Sequence, residues 1–323
     1  MATLNDVAAR ARVSKATASR ALNRPDLVAP ATVERVQAAA AELRFVPNRG
    51  AQLLARGRTG IVPLLVPTLH NAFFTPIIAG AHARAEAADL HLTVAVHPME
   101  DEDERARFEQ LAAQVDGMIV VAPRGADDLV RRACALKPSV LVDREIDGIP
   151  SVAADTAAAF AALVRRLAAG GHRRIAFLNG PELSWQNVQR TKAVAAAARA
   201  VGVEVEVLGP SPATFAAGSA LAGAVAESGA SVSIPYASDL GLGVLFELIA
   251  RGQARFGQGT APDGAVEVVG VPGATAVDVD GEALGAAAMD QLLPLLGGEA
   301  PVSPTRRLEV PLAEQWTGPR GRA

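Results

Sequence analysis

Cysteine is almost absent from the 323-residue chain, which contains Cys134 alone. A single thiol excludes an intramolecular disulfide framework, and its apolar setting in LVRRACAL predicts a buried helical residue. Aromatic residues account for 4% of the chain, whereas hydrophobic residues account for 50%. We therefore expect a core built from Ala, Val and Leu, in a chain long enough for a small head and two larger domains.

Long apolar runs and catalytic motifs are missing as well. The sequence has no run of 18 apolar residues and no charged-then-apolar start, so we expect a cytoplasmic protein without a membrane partner. It has no GxxxxGK loop and no HExxH spacing, and Gly241 and Gly243 lack the third glycine of a dinucleotide loop. His91 and His97 could share one strand face, but further metal ligands are lacking. These absences favour a protein that is not an enzyme and uses no cofactor or metal.

Positive charge is concentrated at the N-terminal end. Residues 1–60 contain ten Lys or Arg and four acidic residues, a net charge of +6, while the whole chain carries −3 and the remainder therefore −9. Such asymmetry is typical of a polyanion-binding head on an acidic body. The alternative is a small helical subdomain with a solvated basic face.

Residues 3–20 read TLNDVAARARVSKATASR and predict two short helices joined by a tight turn. Thr3 and Asp6 have capping-box spacing, and Ser14 can cap the second helix. Small alanines allow the close approach of a helix-turn-helix, with a third helix from about Pro30 to Arg44. The outward face of the second helix then carries Lys15, Ala16, Ser19 and Arg20.

TLNDVAARARVSKATASRALN, followed by RVQAAAAELRFVPNRGAQLLARGRTGIV, resembles the head and hinge of the lac repressor (LacI/GalR) family of bacterial transcription regulators. The resemblance places Lys15, Ala16 and Arg20 at base-reading positions and Leu54 at a leucine that wedges into the minor groove. The predicted DNA-contacting residues are Thr3, Ser14, Lys15, Ala16, Thr17, Ser19, Arg20 and Asn23 in the head and Asn48, Ala51, Leu54 and Ala55 in the hinge. An ordinary interdomain linker is the alternative to a hinge helix. Arg12 departs from the family, which has glycine or asparagine at this turn, and a left-handed backbone there would cost about 1 kcal/mol.

Beyond residue 60, apolar strands alternate with Ala-rich helical patterns, which predicts parallel sheets covered on both faces. Pro63, inside the first strand Ile61–Val66, predicts that pairing begins after it. The resemblance extends loosely over this body and implies two doubly wound α/β subdomains like those of periplasmic binding proteins. The predicted domains are the helix-turn-helix head 1–46, the hinge 47–59 and the core 60–323. Within the core we expect a first half of 60–154 and 274–302 and a second half of 155–273 and 303–323, with Glu282–Leu296 in the first and Arg307–Leu312 in the second.

Side chains just past the strand ends are candidates for a ligand crevice between the halves. Asp143 and Arg144, for example, directly follow a predicted strand. The resemblance adds Asp155 and Arg190, which match positions that bind ligand hydroxyls in sugar-responsive relatives. The predicted effector-binding set is Asn71, Phe73, Phe74, Asp143, Arg144, Asp155, Trp185, Arg190, Ser238 and Asp239. As alternatives, Phe73 and Phe74 could be core residues, Asp143 and Arg144 a hinge ion pair, and Asp239 a helix cap.

Val271-Pro272-Gly273 departs most from the family, which usually has an aromatic residue and two aspartates here. One ligand wall is therefore missing or rebuilt. The sequence favours a homodimeric or tetrameric regulator, more a repressor than an activator, that binds a palindromic DNA operator under control of a small effector such as a sugar. The alternative is a regulator whose core answers a protein partner or no ligand.

Overall fold

A computed structural model of the chain describes residues 2–45, 58–101, 104–255 and 264–318. They form two compact units, Met1–Thr59 and Gly60–Ala323, here called the head and the core. The predicted hinge residues Asn48, Ala51, Leu54 and Ala55 lie outside the described residues, so their role stays a prediction. Within the described ranges, no helix combines the length and apolarity needed to cross a membrane.

The head is a helix-turn-helix followed by a third helix. Its elements are α1 (Leu4–Arg10), α2 (Lys15–Asn23), the 3-10 turn Pro25–Leu27 and α3 (Pro30–Glu42). Its buried core consists of Val7, Ala8, Ala11, Ala18, Ala21, Val36 and Ala39. Alanine supplies most of these contacts, which lets the helices approach closely and confirms the predicted helical head.

The first half of the core is a parallel sheet with helices on both faces. Its strands are β1 (Ile61–Val66), β2 (His91–Val96), β3 (Met118–Val121), β4 (Ser139–Val142), β5 (Ser151–Ala154) and β12 (Thr305–Leu308). They lie in the order β12-β5-β4-β3-β1-β2. Helices α4 (Phe74–Ala87) and α11 (Gly281–Leu296) pack on one face, and α5 (Arg105–Ala112) and α6 (Asp127–Cys134) pack on the other.

The second half repeats this arrangement. Its strands are β6 (Arg174–Leu178), β7 (Glu204–Leu208), β8 (Val232–Pro235), β9 (Ala254–Arg255) and β10 (Val266–Val268), in the order β7-β6-β8-β10-β9. Helices α7 (Thr156–Ala169) and α8 (Trp185–Val201) cover one face. Helices α9 (Phe215–Glu227) and α10 (Ser238–Ala250) cover the other, so the predicted fold class is confirmed.

The C-terminal segment corrects one prediction. We expected Arg307–Leu312 in the second half, but β12 pairs with β5 along its whole length and extends the first sheet. Arg307 also forms a bidentate ion pair with Glu145 of the first half, and both N–O distances are 2.7 Å. Conversely, β11 (Ala276–Val277) pairs with β13 (Leu312–Ala313) and packs on the core of the second half. The expected boundaries at 274 and 303 are therefore wrong for these two short segments.

Pro63 is tolerated in β1 because its nitrogen faces β3, and β1 pairs with β3 only from Leu64 onward. The Gly60 and Val66 carbonyls accept hydrogen bonds from β2, whereas the Ile61 carbonyl accepts one from Asp116, beside β3. Pro63 lies two residues after Ile61, so its backbone groups point to the same side of the strand. The N–H that proline lacks would therefore also lie on the β3 side. Pairing with β3 begins at Leu64, as predicted, but pairing with β2 already begins at Ile61, where the prediction was wrong.

Helices α4 and α11 touch backbone to backbone through glycines. A Cβ atom on Gly80 would overlap the Glu282 carbonyl, and one on Gly285 would overlap the Ile77 carbonyl. This close contact joins helices that are about two hundred residues apart in the chain. It fixes the start of α11, at Gly281, beside Pro76 at the start of α4.

Cys134 ends α6 and is buried, as the sequence predicted. Burial raises the pKa of its thiol to about 12, against a smaller opposing effect of a hydrogen bond with Ser139. The thiolate is the reactive form of cysteine, so this side chain is chemically inert in the folded protein.

Candidate DNA-binding head and ligand cleft

Ser14 fixes the start of α2. Its hydroxyl oxygen accepts a hydrogen bond from the Thr17 backbone N–H (3.1 Å) and lies 2.8 Å from the Thr17 hydroxyl. Lys15 and Ala16 in the first turn are exposed, and Arg20 is exposed further along. Arginine and lysine at such positions can donate to guanine or phosphate, and an alanine methyl can pack on thymine.

Thr3 closes the capping box that the sequence predicted. Its hydroxyl and its backbone N–H both donate to Asp6 Oδ2, at 2.8 Å each. These hydrogen bonds, with the backbone one first, lower the pKa of the Asp6 carboxyl. Among the other predicted contacts, Ser19 is half-buried, and Asn23 is the last residue of α2. The contacts of the Asn23 side chain lie outside what the structure describes.

The turn between α1 and α2 places a non-glycine residue in the left-handed region. Arg12 has a φ of +53°. Its N–H donates to the Ala9 carbonyl (3.2 Å), and the Val13 N–H donates to the Ala8 carbonyl (3.0 Å). This pair of bonds is a Schellman motif, which usually has glycine at this position. The backbone strain expected from a left-handed non-glycine residue at this turn is therefore present.

A cavity of about 240 Å³ lies between the halves of the core, at the carboxyl ends of several strands. The first half contributes Asn71 to Phe74 after β1, and Ala122 and Asp143, which directly follow β3 and β4. The second half contributes side chains from α7, α8 and α10. Lining residues include Asn71, Phe73, Phe74, Ala122, Asp143, Phe160, Gln186, Arg190, Tyr236, Ser238, Asp239, Pro272 and Trp316. This is where ligands bind in open α/β sheets.

Asp143 is the buried acid of this cavity, with 2% of its surface exposed. Its Oδ1 accepts hydrogen bonds from the Ala154 N–H (3.0 Å) and from Gln186 Nε2 (2.9 Å), while its Oδ2 has no partner. Burial raises the pKa of Asp143, although these hydrogen bonds and the nearby Arg190 oppose the rise. Asp143 also has a φ of +55°, and Ala122, in the same wall, has a φ of +44°. Backbone strain of this kind often occurs at binding sites.

Arg190 is held between two aromatic rings. Its guanidinium carbon lies 5.1 Å from the ring centre of Phe160 and 4.7 Å from that of Tyr236. Arg190 Nε donates to Thr156 (3.0 Å), and Nη1 donates to the Tyr236 carbonyl (2.8 Å). Cation–π contacts and hydrogen bonds together give this side chain one defined position.

The structure separates the predicted effector residues into two groups. Those that line the cavity are Asn71, Phe73, Phe74, Asp143, Arg190, Ser238 and Asp239. The remaining three do not line it. Arg144 is buried but donates to the Pro123 carbonyl and to Asp127, so the alternative of an Asp143–Arg144 ion pair is wrong. Asp155 caps α7 through the Ala158 N–H, and Trp185 begins α8.

Four further aromatic or polar residues of the wall were not predicted from the sequence: Phe160, Gln186, Tyr236 and Trp316. Gln186 directly follows the predicted Trp185, which begins α8 and does not line the cavity, whereas Gln186 does. Tyr236 directly follows Pro235, the last residue of β8, and no sequence pattern identified its ring as part of the wall. Trp316 comes from the C-terminal segment, and no local pattern connects it to the cleft.

The Val271–Gly273 segment forms a wall without a charged side chain. Val271 is fully buried in the core of the second half, and Pro272 lines the cavity. Gly270 and Gly273 have φ values of +73° and +86°, which permit the sharp turn. The Gly273 N–H donates to the Trp316 carbonyl (2.7 Å), so the C-terminal segment covers the short loop. The wall is thus rebuilt with apolar groups.

Two family descriptions match the chain. Residues 3–48 match "Bacterial regulatory proteins, lacI family", and residues 59–300 match "Periplasmic binding proteins and sugar binding domain of LacI family". The second match alone covers most of the chain.

Relatives of known role are transcriptional regulators. The HTH-type transcriptional regulator GntR of Pseudomonas aeruginosa is 30% identical over 310 residues, which is 92% of this chain and 90% of that protein. The maltose regulon regulatory protein MalI of Escherichia coli is 34% identical over 194 residues, 58% of this chain. The aligned part spans little more than half of MalI, 56% of its length.

Solved structures give the same result for the fold. The lac repressor dimer bound to operator and the anti-inducer ONPF has a TM-score of 0.81 and 25% identity, with 97% of this chain and 98% of that chain covered. A complex of the transcriptional regulator CelR with cellobiose has a TM-score of 0.67 and 27% identity, with 98% and 100% covered.

Proposed function

We propose, on the premise that this chain belongs to the lacI family of bacterial regulatory proteins, that it represses transcription in the cytoplasm by binding a palindromic operator as a homodimer. A small molecule in the core cleft would control that binding. The observation that carries the proposal is the exposed row of Lys15, Ala16 and Arg20 on a capped helix, in a head of opposite charge to the rest of the chain. Relatives of this family are regulators, which also favours a role without catalysis.

Each head is suited to one half-site. Helix α2 would enter the major groove with its N-terminal turn towards the bases, while the cationic surface of the head contacts phosphates. In this arrangement Arg20 can donate two hydrogen bonds to a guanine, and Lys15 can reach a base or a phosphate. Thr3, Ser14, Thr17, Ser19 and Asn23 remain proposed neighbours of the DNA backbone.

Dimerisation is proposed to use an exposed apolar patch on the second half of the core. Phe215 and Phe246 are 46% and 59% exposed, and their ring centres lie 5.7 Å apart. Ile249 on the same helix as Phe246 is 56% exposed. Clustered large apolar side chains at a surface commonly mark a protein interface. A second copy of the chain would bury this patch and bring two heads to one palindrome.

Control by an effector requires that the ligand prefer one arrangement of the core. The cavity is lined by both halves, so a ligand in it would favour the relative angle at which both walls contact it. Through the hinge, that angle would change the spacing of the two heads. The size of the response equals the difference in ligand affinity between the two arrangements.

The proposal is tested by selecting fragments of the native genome on the purified protein and measuring affinity for the recovered sequence. We expect a palindromic site, and an affinity that falls steeply as salt rises because bound counterions are released. Arg20→Ala should lose discrimination at one base position by about 1–3 kcal/mol.

Arg35→Ala is the matched control, since Arg35 is an exposed cation on α3. Arg35→Ala should lower the affinity for all DNA sequences equally or leave DNA binding unchanged. No enrichment of any sequence, or an Arg20→Ala loss that is uniform over all DNA, would contradict the proposal.

A regulator whose core responds to no small molecule remains a second candidate, because Val271-Pro272-Gly273 lacks the two aspartates that the resembled family usually has there. It predicts intact operator binding that no metabolite changes.

A further inference from the structure

The walls of the cleft are mainly apolar. Five aromatic rings contribute to them, from Phe73, Phe74, Phe160, Tyr236 and Trp316. Aliphatic side chains such as Leu163 and Ile234 and the ring of Pro272 fill the space between them. Surfaces of this kind bind flat rings, which stack on aromatic faces and gain from leaving water.

Two polar side chains of the cleft, Gln186 and Arg190, are committed to neighbouring groups. Gln186 Nε2 donates to Asp143 Oδ1 (2.9 Å) and the Ala154 carbonyl (3.3 Å), and Gln186 Oε1 accepts from Thr156 (2.8 Å). Arg190 donates to Thr156 and to the Tyr236 carbonyl. The groups around Asp143 are therefore largely occupied, and the other polar side chains that line the cavity include Asn71, Ser238 and Asp239. A ligand with many hydroxyls would need a partner for each of them, since hydroxyls that enter without a partner are costly to bury.

Asp143 Oδ2 is the remaining acceptor beside Gln186 and Arg190. Among the described residues, it is the one buried side-chain oxygen without a hydrogen-bond partner. It belongs to an acid that lines the cavity and has 2% of its surface exposed. A ligand group that donates to this oxygen would remove the cost of leaving it unpaired.

We propose that the effector of this cleft is a small compound with a flat, mainly apolar ring and one hydrogen-bond donor directed at Asp143 Oδ2, and that such compounds bind in preference to polyhydroxylated sugars. This inference rests on the proposed function, which assigns the cleft to an effector. The cavity of about 240 Å³ is of a size for one or two fused rings, since a cavity of roughly 150 Å³ in another protein holds benzene.

Tryptophan fluorescence provides a direct test, because the chain has two tryptophans and only Trp316 lines the cavity. We would titrate the full chain with phenol, benzamide, nicotinamide, uracil and indole, and separately with glucose, galactose, ribose and myo-inositol. At least one ring compound should give a saturable fluorescence change and raise the melting temperature. The sugars should give neither at concentrations about tenfold higher.

Three variants locate the ligand. The fluorescence change should persist in Trp185→Phe and disappear in Trp316→Phe, while the rise in melting temperature persists in both. Asp143→Asn replaces the unpaired acceptor with a donor and keeps the other oxygen. It should therefore lower the affinity for the ring compound at least about tenfold. If Trp316→Phe does not fold, a signal retained in Trp185→Phe still identifies Trp316 as its source.

Saturable binding of a sugar, absence of binding by every ring compound, or loss of the signal in Trp185→Phe would each overturn the inference. Unchanged ring affinity in folded Asp143→Asn would also overturn it. Operator binding is measured on the same preparation without ligand. A protein that binds its operator but no ring compound contradicts this inference alone, whereas a protein that binds no DNA contradicts the proposed function.

Discussion

Arg12 occupies a backbone position that suits glycine. Its φ of +53° and the two hydrogen bonds that close the turn are set by the packing of α1 against α2, not by the residue itself. Arg44 after α3 has a φ of +49° and closes the same kind of turn, with the Phe45 N–H donating to the Ala40 carbonyl. The head therefore contains two strained arginines, both adding to the positive charge that a DNA-binding surface needs.

Replacing Arg12 by glycine should stabilise the head by about 1 kcal/mol, because glycine has no Cβ penalty in the left-handed region. Hydrogen exchange of head amides in the full chain measures this. Arg24→Gly is the control, since Arg24 also ends a helix but has a φ of −142°. An equal effect at the two positions would show that charge removal, and not backbone strain, is responsible.

Asp143 links stability to pH. Burial raises its pKa, so the folded state holds the proton more tightly than the unfolded state does. Stability should therefore fall as pH rises from the unfolded value near 4 towards the raised folded value, by up to about 1.4 kcal/mol for each pH unit in that interval. Asp143→Asn cannot ionise and should lack this loss. Urea midpoints of both proteins between about pH 4 and 8 test this, and parallel profiles would contradict it.

At the scale of elements, local sequence predicted most of the core. The predicted strand Ile61–Val66 has the bounds of β1, and the predicted Glu282–Leu296 corresponds to α11, which begins at Gly281 after a side-chain cap at Asp280. Pairing between distant segments was not predictable in this way. β12 is a short strand with mostly exposed side chains, and only its partner β5, about 150 residues earlier, determines where it lies. The same reason explains why Trp316 was missed as a wall of the cleft.

The glycine contact between α4 and α11 gives an element-scale prediction. Gly285→Ala would place a methyl group against the Ile77 carbonyl and should cost about 3 kcal/mol, because backbone cannot move aside as a side chain can. Gly223→Ala in α9 is the matched control, since the nearest atom to its Cβ would be Arg251 Nη1 at 3.6 Å. That change should be neutral or stabilise by up to about 1 kcal/mol. Chemical denaturation followed by circular dichroism distinguishes them, and equal midpoints would refute the close contact.

At the scale of the whole molecule, the apolar patch predicts how the protein assembles. Phe246→Asp should convert a dimer into monomers, because a buried carboxylate without a partner is costly at an interface. Sedimentation velocity measures the change, and affinity for a palindromic site should fall with it. Val302→Asp alters another exposed apolar side chain, 80% exposed, and should leave the dimer intact. A dimer that survives Phe246→Asp would place the interface elsewhere.

The inert thiol of Cys134 has a practical consequence for measuring the motion of the core. A chain whose single native cysteine is buried and resists ionisation can accept new surface cysteines without competing modification. One spin label or dye on each half would then report the distance across the cleft directly. Opening or closing of the core on ligand addition becomes observable in the native background, with no cysteine-free variant required.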